Sequence, residues 1–291
     1  MRVLITGSNG QLGSEIKELE NSYNNIDFIF KDLPELDICN SEALETFIID
    51  HKINSVINCA AYTAVDKAEK DTEIAEKVNS IGVSNLVNAL KKVDGKLIQI
   101  STDYVFDGDH FSPYKESDPV NPIGVYGKTK RAGELYVINS NIDSIVIRTS
   151  WLYSSYGSNF VKTMLRLGNE KESLGVIFDQ VGTPTYARDL AKACLEILTG
   201  VNSAKISKNG NLYHYSNEGV ASWYDFAISI MELGGENCKV KPIQTKDYPT
   251  LAKRPQYSVL DKSKIKTDFK LEIPYWKDSL KDCMIKIKTN S

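Results

Sequence analysis

The chain opens with a short apolar run, Arg2-Val3-Leu4-Ile5-Thr6, that stops at Gly7-Ser8-Asn9-Gly10-Gln11-Leu12-Gly13. A polar–apolar helical pattern follows from Ser14 to Leu19. Strand, glycine turn and helix, in that order, constrain the fold more than any other feature of the sequence. Gly7 allows a tight turn, Gly10 lets the backbone approach a pyrophosphate, and Gly13 lets the helix pack closely on the strand. The helix N-terminus then faces the phosphates. The spacing is GxxGxxG rather than GxGxxG. The expected fold is α/β, a Rossmann-type doubly wound parallel sheet with a dinucleotide site at this turn.

The next segments keep that alternation. A second strand, Asp27 to Phe30, runs into Lys31 and Asp32. Asp32 lies nineteen residues past Gly13, close to the ~20 expected for a carboxylate on the adenosine ribose hydroxyls. That spacing slightly favours NADH, while Lys31 beside it tolerates a 2′-phosphate and leaves NADPH open. Asp37 is placed to bond the adenine amino group and Ile38 to pack on the ring. A helix from Ser41 to His51 has Ser41 as its expected cap. Ser55 to Ala61 is a strand ending in small residues, and Ala60 and Ala61 leave room for a ligand at the strand's carboxyl end. Asp66 to Leu90 reads as helix, with an interruption at Gly82. Asn79 within it is either exposed or a water-binding residue.

Lys96 to Ile100 is a fourth strand, delivering Ser101 and Thr102 at its carboxyl end. Further on stands Tyr126-Gly127-Lys128-Thr129-Lys130. Tyr126 and Lys130 are four residues apart, a spacing that puts both on one helix face. A free tyrosine has a pKa of ~10, and a neighbouring ammonium is expected to lower it. A tuned phenol can give a proton to a carbonyl oxygen while a hydride arrives at the carbon. Asp143 to Arg148 is a further strand. After about residue 150 the alternation becomes irregular, so a smaller C-terminal α/β unit is expected. The division is 1–150 for the dinucleotide unit, with about 185–200 packing back on it, and 151–184 plus 201–291 mainly for substrate.

Composition excludes several classes. Formal net charge is -3 with no basic run, which gives nucleic-acid binding no support. No apolar run approaches ~18 residues, so no membrane span is expected. The five cysteines are scattered without a CxxC pair, and three histidines form no ligand pattern. A reducing cytoplasm is the expected location.

Several stretches together resemble one family. They are GSNGQLG from Gly7, NCAAYTAVDKAE from Asn58, STDYVFDG from Ser101, NPIGVYGKTKRAGE from Asn121, RTSWLY from Arg148, NFVKTM from Asn159, DQVGTPTYARDLA from Asp179 and KRPQYSVLD from Lys253. They resemble the dTDP-4-dehydrorhamnose reductases of the extended short-chain dehydrogenase/reductase superfamily, over nearly the whole chain. The resemblance implies NAD(P)H-dependent reduction of a 4-keto group on a dTDP-linked 6-deoxyhexose. Tyr126 would be the proton donor, Lys130 would bond the nicotinamide ribose, and Thr102 would polarise the carbonyl. It adds Asn9, Gln11, Leu12, Tyr62, Thr63 and Ser101 to the cofactor contacts. It assigns Asp103, Phe106, Trp151, Asn159 and Arg254 to the substrate, with Arg254 on the pyrophosphate. Some family members hold magnesium between glutamates at a dimer contact. Glu15 stands in a plausible place, but Ala187-Arg188-Asp189 puts arginine where a glutamate is wanted, so no metal is expected. A homodimer remains compatible with the sequence. Two competitors stay open: an epimerase or dehydratase of the same superfamily, and a non-catalytic regulatory subunit. Asp103 followed by Tyr104 rather than a glutamate argues against dehydration.

Overall fold

The computed structural model of the protein describes residues 1–200 and 211–289. The start of the stretch expected to form the smaller unit, residues 201–210, and residues 290–291 lie outside the described residues.

Six parallel strands form the main sheet. In spatial order they are Asn211–His214, Asp143–Thr149, Lys96–Thr102, Ser55–Asn58, Arg2–Thr6 and Asp27–Lys31. Parallel strands covered on both faces read as nearly continuous apolar runs, and Ser55–Asn58 is buried at every position. One face packs Ile16 and Leu19 of helix Gln11–Leu19 with Leu190, Cys194 and Leu198 of helix Ala187–Thr199. The other packs Leu44 and Ile48 with Leu86, Leu90 and Val137. Residues Asn211–His214 and the helix Ser263–Phe269 also belong to this larger unit, through Tyr213, Ile265 and Phe269 in its core. Among the described residues no helix is long and apolar enough to cross a membrane.

The smaller unit has its own core of Tyr153, Val161, Phe226, Ile230, Trp276 and Leu280. Its helices are Phe160–Glu170, Trp223–Gly234 and Trp276–Thr289. Its strands Ser173–Ile177 and Lys239–Ile243 pair in parallel. Phe226 is core, as its apolar helix position suggests. Trp223 is partly buried, and its indole stacks on Trp151 with ring centroids 3.6 Å apart.

Two local expectations are corrected. The helix Ser41–Asp50 is capped by Asn40, whose side chain accepts the Ala43 N–H at 3.1 Å; Ser41 is already inside the helix. The long helix expected from Asp66 to Leu90 is broken earlier than Gly82. Val65–Ala68 and Thr72–Glu76 are separate helices, followed by a π-helical turn Lys77–Ile81 and then Gly82–Lys92. The wider turn brings Asn79 inside, where it is buried. Its amide accepts the Tyr62 N–H at 2.9 Å and donates to the Tyr62 carbonyl at 3.1 Å and to Thr129 Oγ1 at 3.2 Å. Asn79 therefore clamps the segment after the third strand to the Tyr126 helix and is buried rather than exposed. Asn40→Ala is expected to cost about 1 kcal/mol in urea unfolding, and Ser41→Ala less than about 0.5 kcal/mol; the reverse ranking would return the cap to Ser41.

Candidate active site

A row of buried polar side chains crosses the carboxyl ends of the central strands. Thr6 Oγ1 donates to Asn58 Oδ1 at 2.6 Å, and Asn58 Nδ2 donates to Gln99 Oε1 at 2.7 Å. Gln99 Nε2 donates to the Ile100 carbonyl at 2.8 Å, which also accepts Lys130 Nζ at 2.7 Å. All four side chains are buried. A polar group taken from water without a partner costs free energy, and each of these has one. The row holds three strands in register and anchors Lys130 beneath them. Asn58 and Gln99 passed unnoticed in the sequence. The available signal was a polar amide inside an apolar strand run, in VIN and LIQI.

The glycine turn closes against the third strand. Gly7 has φ +61°, and a Cβ there would stand 2.6 Å from the Ala60 nitrogen. A Cβ on Gly13 would meet Ser8 Cα at 2.5 Å, so the helix packs on the turn as expected. Asp32 has a part in this turn: its carboxylate accepts the Asn9 N–H and the Leu33 N–H, each at 2.8 Å. Asp37 accepts the Cys39 N–H at 2.8 Å, and Ile38 is buried in the core beside Gly82. Tyr62 donates its hydroxyl to Asp71 at 2.6 Å.

Next to the turn lies a cleft of ≈ 520 Å³. Gly7, Gly10, Gln11, Leu12, Ala60, Ala61 and Thr63 line it on the side of the glycine turn. Ser101, Thr102, Asp103, Tyr126 and Lys130 form one wall, and Trp151 and Asn159 also line it. Trp151 holds a left-handed backbone, φ +48°, a conformation that costs a non-glycine residue of order 1–3 kcal/mol. Its indole is thereby presented to both the cleft and Trp223. Asn159 caps helix Phe160–Glu170 by accepting the Lys162 N–H at 3.1 Å, and its amide donates to Gln11 Oε1 at 3.0 Å. Phe106 is corrected: it is fully buried, stacked on Tyr114 with Arg148 on its ring, and lies outside the cleft.

Tyr126 and Lys130 share the helix Val125–Ile138. The expectation that Lys130 lowers the Tyr126 pKa is corrected. Burial pushes the phenol up to about 12, the Thr102 hydroxyl pulls it down, and the Asp103 carboxylate adds to the rise. The Lys130 ammonium is directed to the Ile100 carbonyl, and burial pushes it down to about 8 against the pull of Glu134. Thr102 donates to Asp103 at 3.0 Å. Burial pushes the Asp103 carboxyl up to about 6, against the Ser258 and Thr102 hydroxyls.

Behind this wall stands Glu134, fully buried. It receives Arg148 through two bonds of 2.8 Å, Arg131 at 2.8 Å and the Ser101 hydroxyl at 2.6 Å. Burial raises its carboxyl, but these donors outweigh burial and hold it below its ordinary value. Ser101 thus spends its hydroxyl on the protein. Arg254, expected at the substrate, does not line this cleft; it is paired with Asp66 at 2.9 Å. It borders a second, apolar groove of ≈ 450 Å³ lined by Phe160, Met164, Leu167, Val176 and Trp223. The Trp151–Trp223 stack separates groove from cleft. Glu15, also fully buried, accepts Ser154 at 2.6 Å and Lys286 at 2.8 Å, with Arg188 at 3.5 Å.

A family model described as the RmlD substrate binding domain matches residues 1–289. A dTDP-4-dehydrorhamnose reductase of Aggregatibacter actinomycetemcomitans is 42% identical over 287 residues, covering 97% of each chain. A solved dTDP-4-dehydrorhamnose reductase of Clostridium acetobutylicum superposes with TM-score 0.92 at 45% identity, covering 99% of this chain and 100% of its own. Another, of Bacillus anthracis in complex with NADP, superposes with TM-score 0.91 at 38% identity, covering 98% and 99%.

The depressed Lys130 has a consequence for stability. Its folded-state pKa of about 8 lies below the ~10.4 of an unfolded lysine. The cost of burying the charge is therefore present in full below pH 8 and is relieved as pH rises from about 8 to ~10.4. Lys130→Met is expected to raise the melting temperature at pH 7, by a margin that shrinks above pH 8, because removing a buried charge removes its desolvation cost. The Ile100 carbonyl keeps the Gln99 donor. Calorimetry at pH 7 and pH 9.5 checks this; a destabilised variant at pH 7 would contradict it.

Proposed function

The chain belongs to the family of dTDP-4-dehydrorhamnose reductases, and on that premise we propose how its own residues carry out the reduction. The enzyme is an NAD(P)H-dependent oxidoreductase that converts dTDP-4-dehydrorhamnose to dTDP-L-rhamnose. The observation that carries the assignment of residues is the meeting of Thr102, Tyr126 and Lys130 in one cleft with the glycine turn.

The backbone around Gly7 and Gly10, which bring no side chain to the cleft, accommodates the pyrophosphate at the N-terminus of helix Gln11–Leu19. A reduced nicotinamide, when bound, supplies the hydride to C4. Lys130 holds the nicotinamide ribose. Tyr126 is the acid. Its phenol must be protonated at the start of a reduction, and a pKa raised to about 12 keeps it so at neutral pH. Thr102, whose hydroxyl donates to Asp103 and pulls on the Tyr126 phenol, orients the phenol toward the ketone oxygen and polarises the carbonyl. As negative charge develops on that oxygen, the proton passes from Tyr126. The rest of the barrier is lowered by holding the reactants in line.

Nucleotide and sugar divide between the two depressions. The apolar groove beside Phe160 and Trp223 suits the base, Arg254 suits the diphosphate through its planar fork of donors, and the sugar reaches past Trp151 to Tyr126. Residues 1–150, with 185–200, 211–216 and 263–271, make the dinucleotide unit, and the other described residues make the substrate unit. The solved Bacillus anthracis relative is in complex with NADP, so the spacing of Asp32 does not argue for NADH over NADPH. Five unpaired thiols support a reducing cytoplasm as the site of action.

The test is consumption of NADH and NADPH with dTDP-4-dehydrorhamnose, followed by loss of reduced-nicotinamide absorbance. One equivalent oxidised per sugar is expected. Dinucleotide binding without consumption would sink the reductase assignment. Tyr126→Phe is expected to keep dinucleotide affinity while turnover falls about 10²-fold or more. Near-normal turnover would remove Tyr126 from its role.

A further inference from the structure

The short helix Val65–Ala68 and the residue after it carry two carboxylates that point to opposite ends of the site. Asp66 Oδ1 accepts the Ala252 N–H at 3.0 Å, and its Oδ2 accepts Arg254 Nη2 at 2.9 Å. It thus fixes both the backbone and the guanidinium of the segment that borders the nucleotide groove. Arg254 Nε is buried and has no hydrogen-bond partner among the described residues. Asp66 therefore restrains one edge of the guanidinium and leaves Nε as an uncommitted donor. Glu69 turns the other way. Helix Val125–Ile138 has Gly124 as its N-cap and no side-chain cap of its own. Glu69 Oε1 accepts the Val125 N–H at 2.9 Å, from 56 residues away in sequence. Gly124 makes room for it: a Cβ there would stand 2.8 Å from Glu69 Oε1. A helix N-terminus leaves N–H groups unsatisfied, and a carboxylate there satisfies one and interacts favourably with the helix dipole. Tyr126 is the next residue.

We propose that Val65–Glu69 is a positioning element serving both ends of the substrate: Asp66 sets Arg254 for an incoming diphosphate, and Glu69 sets the start of the helix that carries Tyr126. The proposal rests on the reductase function given above. Neither carboxylate touches the reacting atoms. Asp66 acts through Arg254, so its loss falls on binding. Glu69 acts through Tyr126, so its loss falls on the chemical step. Small displacements of a proton donor lower the rate without lowering affinity.

The measurement is steady-state kinetics with calorimetric binding of thymidine diphosphate, on the full chain. Asp66→Asn keeps an acceptor for Ala252 but loses the charge facing Arg254. It is expected to weaken thymidine diphosphate binding and raise KM by about 10-fold, the size of one charge-assisted hydrogen bond, with kcat within about 2-fold. In an Arg254→Ala background the same change is expected to have no further effect. Glu69→Ala is expected to lower kcat about 10-fold with thymidine diphosphate affinity unchanged. Glu69→Gln, which keeps an acceptor for Val125, is expected to recover most of that rate. A purely structural turn would move kcat and KM together in both variants, and that outcome overturns the proposal. So does an undiminished Asp66→Asn effect in the Arg254→Ala background, or a Glu69→Gln variant as slow as Glu69→Ala. Wild-type protein that binds thymidine diphosphate but never turns over would instead refute the reductase function. The Asp66–Arg254 cycle is read by binding alone and decides the arginine's share separately.

Discussion

The hydrogen-bonded row Thr6–Asn58–Gln99–Ile100–Lys130 is the constraint on which the rest of the site depends. Parallel strands are held in register mainly by which side chains must share a face. In an all-apolar sheet a slip exchanges one hydrophobe for another. Here a slip strands amides in the core, where an unpaired polar group costs on the order of 1–3 kcal/mol. The strand bearing the glycine turn is thereby locked to the strand bearing Thr102. Lys130, donating to the same carbonyl, locks the Tyr126 helix to both. The distance between the glycine turn and Tyr126 is set by this row.

Buried carboxylates extend the same logic. Glu134 gathers Arg148, Arg131 and Ser101 behind the wall that holds Thr102 and Tyr126. Glu15 gathers Ser154, Arg188 and Lys286 from three distant segments onto the helix that follows the glycine turn. The negative charge of Glu15 is met by the chain's own guanidinium and ammonium. Removing one partner of such a cluster leaves an uncompensated buried charge, which is far costlier than the cluster's net contribution.

Local features of the site were legible in the sequence, and relations between distant segments were not. The glycine turn, the small residues Ala60 and Ala61, and the Tyr126–Lys130 helix face each follow from a few adjacent residues. Asn58 and Gln99 become meaningful only once two strands are aligned. Asn79 seemed ordinary because a π-helical turn, invisible to a period of 3.6, rotates it inward. Phe106 followed a specific motif but obeyed its apolar side chain and joined the core. The Tyr126 pKa was misjudged in direction because neighbour spacing can be counted from sequence while burial cannot. Asp32 has the expected spacing from the turn, yet its oxygens meet backbone amides that no spacing reveals.

The paired indoles of Trp151 and Trp223 stand 3.6 Å apart with their planes 9° from parallel, and the chain has only three tryptophans. Two chromophores that close absorb as a coupled pair rather than as separate rings. The wall between cleft and groove is therefore also an optical element, whose near-ultraviolet dichroism depends on the angle between the two planes. The enzyme carries its own spectroscopic gauge at the boundary of the two depressions.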